Sequence, residues 1–256
     1  MDGPFTLISS NIRYDNPADG GHAWPHRREG LATILRDHQP LVIATQEGRQ
    51  PQLLDLAGLL PHHDLVDGHR PWIEERMYPC LFVRNGTKVT ASGDIWLSET
   101  PEVPGSTGFG STFPRLCTWA RLLVGEQTLV CVSAHLDHLR AETRAHQANV
   151  MGHQLAALLR PEDRLVLMGD FNEGVDGPAR SNLLRKLPSL VDPWLTLGRP
   201  EEVSHHRFDG EHENGARIDW ILLDRRLRAD AVSFDKSCPG GVWPSDHYPL
   251  VCRLKL

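Results

Sequence analysis

The chain has 256 residues, 40% hydrophobic and 23% charged, with a formal net charge of −6. That is ordinary globular composition with ample chain for a core, and it lacks the basic excess that gives a general grip on long duplex nucleic acid. Five cysteines without a Cys-x-x-Cys pair, no leader-like N-terminus and no long apolar run lead to the expectation of one domain over residues 1–256, reduced and cytoplasmic, with no membrane span and no obligate protein partner.

Phe5 to Asn11 reads as a first strand that ends in an amide. Arg13 to Trp24 is a loop rich in Asp, Asn, Gly and Pro. Pro25 to His38 is helical in pattern, with Leu31, Ile34 and Leu35 on one face, and Pro40 ends it. Leu41 to Thr45 is a second buried strand running into Gln46-Glu47, and a short helix follows near Gln50 to Leu60. Strand-like segments then come in series: Asp64–Asp67, Pro79–Arg84, Val89–Ser98, Cys117–Val124 and Thr128–Leu136. Turn signals such as Asn85-Gly86 suit antiparallel pairing. Glu142 to Arg160 is the clearest helix, with Val150, Leu155, Leu158 and Leu159 as its apolar positions. The apolar run Arg164–Met168 leads into Gly169-Asp170-Phe171-Asn172, and a helix near Pro178 to Leu187 follows. Arg217–Leu223, Ala229–Asp235 and Tyr248–Leu256 complete the strands. Strands and helices in this mixed order imply a layered α/β fold with mixed sheets.

Several of these strands carry polar groups at an end: Asn11, Glu47, His135 with Asp137 and His138, Asp170 with Asn172, and Asp219; Asp246-His247 precedes the last strand. A charged group in an apolar run must be paired, bound to metal or at the surface. One such end is accounted for by solvation; six in separate segments call for a shared site. Glu47, Asp170 and Asp246 supply hard anionic oxygens, which favour Mg²⁺ or Mn²⁺ over zinc. His135 and His247 are fit to donate to phosphoryl oxygens, and Asp219 to hold one imidazole in its tautomer. Together these parts suit in-line attack of water on a phosphoester.

Ser10-Asn11-Ile12, Gln46-Glu47, Ala134-His135-Leu136, Gly169-Asp-Phe-Asn172, Arg217-Ile-Asp-Trp220 and Ser245-Asp-His247 occur in the order seen in the endonuclease/exonuclease/phosphatase superfamily, which the chain resembles over nearly its whole length. Trp24-Pro-His-Arg-Arg28, Trp96-Leu-Ser-Glu-Thr-Pro101 and His135-Leu-Asp-His138 resemble a bacterial subgroup similar to the nocturnin-like deadenylases. The resemblance implies a deoxyribonuclease I-like four-layer α/β sandwich, two mixed β-sheets packed face to face with helices outside. It implies a Mg²⁺- or Mn²⁺-dependent phosphoester hydrolase of the phosphodiesterase or nuclease type. Glu47 would be the principal metal ligand, with Asn11 and Asp246 beside it as ligands or supporting contacts. Asp170 would position the attacking water or hold a second metal, and Asn172 would orient the phosphate. His135 and His247 would contact phosphoryl oxygens, with Asp219 behind His247.

Substrate choice is expected in the loops around Trp24, Gly105 to Phe113 and His205 to Phe208. Within them Trp24, Phe109, His206 and Arg207 are candidate substrate contacts, and Trp72 and Phe113 are further loop aromatics. The expected substrate is a single-stranded nucleic-acid end or a nucleotide-like phosphate, with a phosphoinositide-like or other small head group as the alternative. A zinc hydrolase reading of His135-Leu-Asp-His138 lacks a ligand, since Ser133 stands where its first histidine belongs. A calcineurin-like phosphatase would need a different set of residues around Asp170 and His247. A catalytically inactive binding domain on the same fold should have lost a metal carboxylate, and none is missing.

Overall fold

The computed structural model describes residues 3–210 and 214–255; the expected end of the last strand, Leu256, lies outside them. Twelve strands form two six-stranded sheets. The first contains β1 (Phe5–Asn11), β2 (Val42–Gly48), β3 (His63–Leu65), β4 (Tyr78–Arg84), β11 (Arg228–Phe234) and β12 (Leu250–Lys255), in the order β11-β12-β1-β2-β4-β3. The second contains β5 (Lys88–Trp96), β6 (Leu116–Val124), β7 (Gln127–His135), β8 (Arg164–Asp170), β9 (Leu190–Val191) and β10 (Asp219–Asp224), in the order β5-β6-β7-β8-β10-β9. At the centre of each sheet is one parallel pair, β1 with β2 and β7 with β8. The other pairings are antiparallel.

The central strands are apolar on both faces because both faces are covered. Leu7, Val42, Ala44, Cys131, Val166, Met168, Ile221 and Cys252 fill the space between the sheets. Their alternate neighbours point outward, as period two requires. Ile8 and Ile43 meet Leu31 and Leu35 of α1 (Trp24–Asp37) and Leu53 and Leu56 of α2 (Gln50–Leu59). Val132, Leu165, Leu167 and Leu222 meet α3 (Ala141–Leu158) and α4 (Pro178–Lys186). A short α5 (Pro193–Thr196) closes one flank. Helix, sheet, sheet and helix are the four expected layers.

Boundaries differ where side-chain hydrogen bonds take over. The strand expected from Arg217 begins at Asp219, because Ser204 Oγ accepts the N–H groups of Ile218 (3.0 Å) and Asp219 (3.2 Å). The strand expected from Tyr248 begins at Leu250. On α3 the expected Leu155 is buried and Leu158 and the following Leu159 pack partly buried against the same core, Val150 is half-buried, and Ala148, Met151 and Gly152 complete the buried face. Gly152 lets α4 approach closely, since a Cβ there would lie 2.9 Å from that of Lys186. All five cysteines carry free thiols. No helix of the described residues is long and apolar enough to cross a membrane.

The two central parallel pairs are tied across the sandwich near one end. Ser133 Oγ donates to the carbonyl of Thr45 (2.8 Å) and accepts from Gln46 Nε2 (3.0 Å). That end is where β1, β2, β7 and β8 finish. Antiparallel β6 and β10 start there, as the register of Cys117 with Ala134 and of Asp219 with Asp170 requires.

Candidate active site

Asn11, Glu47, His135, Asp170, Asn172, Asp219, Asp246 and His247 line or adjoin one cleft of about 360 Å³ at this edge. Asn11 Nδ2 donates to Glu47 Oε1 (3.1 Å) and to Asp170 Oδ2 (3.0 Å), so one amide bridges carboxylates from both sheets. Glu47 Oε2 accepts the N–H of Tyr14 at 3.2 Å. Glu47 sits at φ 69°, where the β2–β4 register shifts between Thr45 and Gly48. Left-handed backbone is strained for a non-glycine residue, and a bulge re-aims the side chain it carries.

Asp170 ends β8 between two neighbours, opposite His135 on one side and Asp219 on the other. Gly169 makes that approach feasible: a Cβ there would lie 2.1 Å from the carbonyl oxygen of Ala134. Asp170 Oδ1 accepts the N–H of Asn172 (2.9 Å), and Asn172 Nδ2 donates to the carbonyl of Leu136 (3.1 Å). His247 Nδ1 lies 2.8 Å from Asp219 Oδ2, and its Nε2 is 3.9 Å from Asp170 Oδ2. His135 Nε2 lies 3.6 Å from the same oxygen. The segment at Ser204 sets both partners of the His247–Asp219 pair. Its hydroxyl holds the start of β10, its carbonyl accepts the N–H of Tyr248 (3.0 Å), and His205 bridges to His247.

Burial drives the Asp170 carboxyl up to about 7, and the negative charge of Asp219 adds to it. Burial opposes charge on His247, but Asp219 outweighs it and lifts the imidazole well above its ordinary value. Burial and the neighbouring Arg115 cation hold His135 far below its ordinary value, so it is a neutral imidazole. Asp246 lies below the usual carboxylate range despite its burial, because His205, His247 and Arg13 surround it.

Ligand atoms of Glu47, His135 and Asp170 lie within 4.8 Å of one another, as do those of Asp170, Asp219 and His247. Asp246 groups with His205 and His247. Glu47 and Asp170 offer hard oxygens that no lysine or arginine of the described residues pairs, and Asp219 Oδ1 is buried without a hydrogen-bond partner. That donor chemistry fits a hard divalent cation.

Trp24, Phe109, His206 and Arg207, the expected substrate contacts, are not among the residues that line this cleft. Trp24 begins α1 instead of lying in a loop; it is buried, and its Nε1 donates to Asp55 Oδ2 (2.7 Å). His206 is buried in a stack on Tyr248, with ring centroids 4.1 Å apart. Phe109 stacks on His146 of α3 at 5.0 Å. Arg207 is exposed beyond the cleft lining, with its N–H on the carbonyl of Asp246 (3.1 Å). Of the loop aromatics, Phe113 lines the cleft. Ser133 points into the core, so the position where a zinc site would need its first histidine is occupied by an inter-sheet tie.

Arg13, Tyr14, Arg49, Met77, Arg115, His138 and His205 also line the cleft. Arg115 is the most informative of these. It immediately precedes β6, and in an antiparallel pair the start of one strand adjoins the end of the next. The same strand-end signal that marks His135 therefore marks Arg115.

Residues 8–247 match the model of the Endonuclease/Exonuclease/phosphatase family. No curated protein sequence matches the chain. Among solved structures it is similar to an endonuclease/exonuclease/phosphatase from Bacteroides vulgatus, at 26% identity, TM-score 0.91 and 99% coverage of each chain. It is similar to a mannosyl-6-phosphatase of Bacteroides thetaiotaomicron, at 25% identity and TM-score 0.88, covering 98% of this chain and 100% of that one. A likeness in fold extends to D. rerio TDP2 complexed with a single-strand DNA product, at 18% identity, TM-score 0.78 and full coverage of both. With the family's model spanning both sheets and every strand end that builds the cleft, the chain belongs to the Endonuclease/Exonuclease/phosphatase family of phosphoester hydrolases.

Proposed function

We propose that the cleft hydrolyses a phosphoester by in-line attack of water, assisted by Mg²⁺ or Mn²⁺. The observation that carries this reading is the convergence of Glu47, Asp170 and the Asp219–His247 pair about the Asn11 amide. Glu47 would hold the metal, with Asn11 and Asp246 beside it. The bound cation supplies Lewis-acid charge to a phosphoryl oxygen.

The chain's own groups do the rest. Asp170 positions the attacking water and takes its proton as the new P–O bond forms, a task suited to a carboxyl raised to about 7. His247, kept cationic by Asp219, stabilises charge on the phosphoryl oxygens. Neutral His135 and Asn172 orient the same group. As the old P–O bond breaks, the leaving oxygen takes a proton from solvent at the cleft mouth.

A cleft of about 360 Å³ on a chain of net charge −6 favours one phosphorylated unit over duplex DNA. Two such substrates are a strand end or nucleotide-like phosphate and a sugar-like phosphate. The likeness to a mannosyl-6-phosphatase supports the second. A panel with Mn²⁺ present, comparing RNA and DNA oligomers, nucleotides, sugar phosphates and inositol phosphates, separates them. Turnover of the small or single-stranded members is expected, and cleavage of long duplex DNA alone would contradict the reading.

A further inference from the structure

Arg115 is 6% exposed and lines the cleft. Its Nη1 lies 2.9 and 3.0 Å from the two ring nitrogens of His135, and its Nη2 lies 2.9 Å from His138 Nδ1. Its Nε is buried with no hydrogen-bond partner. No carboxylate of the described residues pairs with it.

The other buried arginines are built differently. Arg70 pairs with Asp94, Arg121 with Asp163, Arg180 with Asp192, and Arg217 with Asp192 and Glu201. Arg27 donates to the backbone carbonyls of Ile12, Arg13, His22 and Pro244. Arg115 alone among them rests on imidazole nitrogens. Glu47, Asp170 and Asp137 act on it only at longer range and do not outweigh its burial, so a guanidinium held this way calls for an anion from outside the chain. It adjoins His135, which is 3.6 Å from Asp170, so that anion belongs at the reacting phosphoryl group.

We propose that Arg115 binds a terminal oxygen of the scissile phosphoryl group and makes the cleft selective for phosphate monoesters over diesters. The proposal rests on the phosphoester hydrolase reading above. A monoester near neutral pH carries close to two charges and three terminal oxygens. A diester carries one charge and two such oxygens. Its second ester arm would bring an alkylated, weakly accepting oxygen to a fork that favours charged, bidentate acceptors. With only one charge to share with the cation, a diester would match the Arg115 guanidinium less fully, the kind of mismatch by which polar sites discriminate between analogues. His138, itself in the cleft lining, steadies the fork through its Nδ1.

The test compares p-nitrophenyl phosphate with methyl p-nitrophenyl phosphate, which share a leaving group, at pH 8 with Mn²⁺. The unsubstituted protein should turn over the monoester with the higher kcat/KM. Arg115→Met should lose at least ~10²-fold on the monoester and under ~10-fold on the diester, with Arg115→Lys recovering part of the difference. Thermal melting checks that the variants fold. If Arg115→Met does not fold, inhibition of the unsubstituted protein decides: inorganic phosphate should bind at least ~10-fold more tightly than dimethyl phosphate. Equal losses on both esters, preference for the diester, or equal inhibition would overturn the proposal and leave the hydrolase reading standing. Hydrolysis of neither ester would overturn both.

Discussion

Asp170 stands where an ionised carboxylate is disfavoured, buried at the end of β8 and facing Asp219. Its ordinary value is about 3.9 in an unfolded chain, and the fold raises it to about 7. Protonation of this group therefore favours the folded state. That contribution is complete below about pH 4 and is lost as pH rises through about 7. His247 acts in the same sense, because its raised imidazole stabilises the fold below its unfolded value and ceases to do so on deprotonation. In the metal-free protein, Asp170→Asn should raise the melting temperature more at pH 8 than at pH 5, measured by thermal melts in EDTA. A larger gain at pH 5 would contradict the assignment. The residues at this site were legible because each interrupts an apolar run with a group that a core does not tolerate alone. Arg115, just before β6, carries a similar strand-end signal, but it is the antiparallel pairing of β6 with β7 that sets it beside His135, and the bridge to His247 that brings in His205.

The central strands of the two sheets were legible as continuous apolar runs, since each buries one face between the sheets and the other under helices, whereas β12 alternates. The packing face of α3 was legible at Leu155 and not at Ala148 and Gly152, because small residues such as the Gly152 that lets α4 come close carry little apolar signal. The two-residue β9 is too short to show a period. The junction of β7 and β8 carries the most demanding contact in the site. With Ala134 backbone 2.1 Å from where a Cβ would sit, Gly169→Ala must push the strands apart or twist the exit to Asp170. Overpacking of this kind costs roughly 1–3 kcal/mol or more, so chemical denaturation should show a loss of that size together with reduced activity. An unchanged midpoint would mean that β8 does not approach β7 in this way.

Across the whole molecule, the chemistry lies at one end of the sandwich because both central parallel pairs finish there and their antiparallel neighbours start there. Asn11 from one sheet grips Asp170 of the other, so the site depends on the two sheets holding their relative position. Gln46 and Ser133 fix that position a residue or two below the cleft. Neither tie could be read from sequence, because side-chain bonds across a sandwich depend on which strands face each other. Two of the expected substrate loops reach the cleft, through Phe113 and His205, while Trp24, Phe109 and His206 pack against α2, α3 and Tyr248. The most direct measurement is turnover of p-nitrophenyl phosphate by protein stripped with EDTA, before and after adding Mn²⁺ or Mg²⁺, in the unsubstituted chain and in Glu47→Ala. The expected result is no turnover without metal, recovery on addition, and a loss of at least ~10²-fold in the variant. Undiminished turnover in the stripped protein, or in Glu47→Ala, would contradict metal-assisted hydrolysis in this cleft.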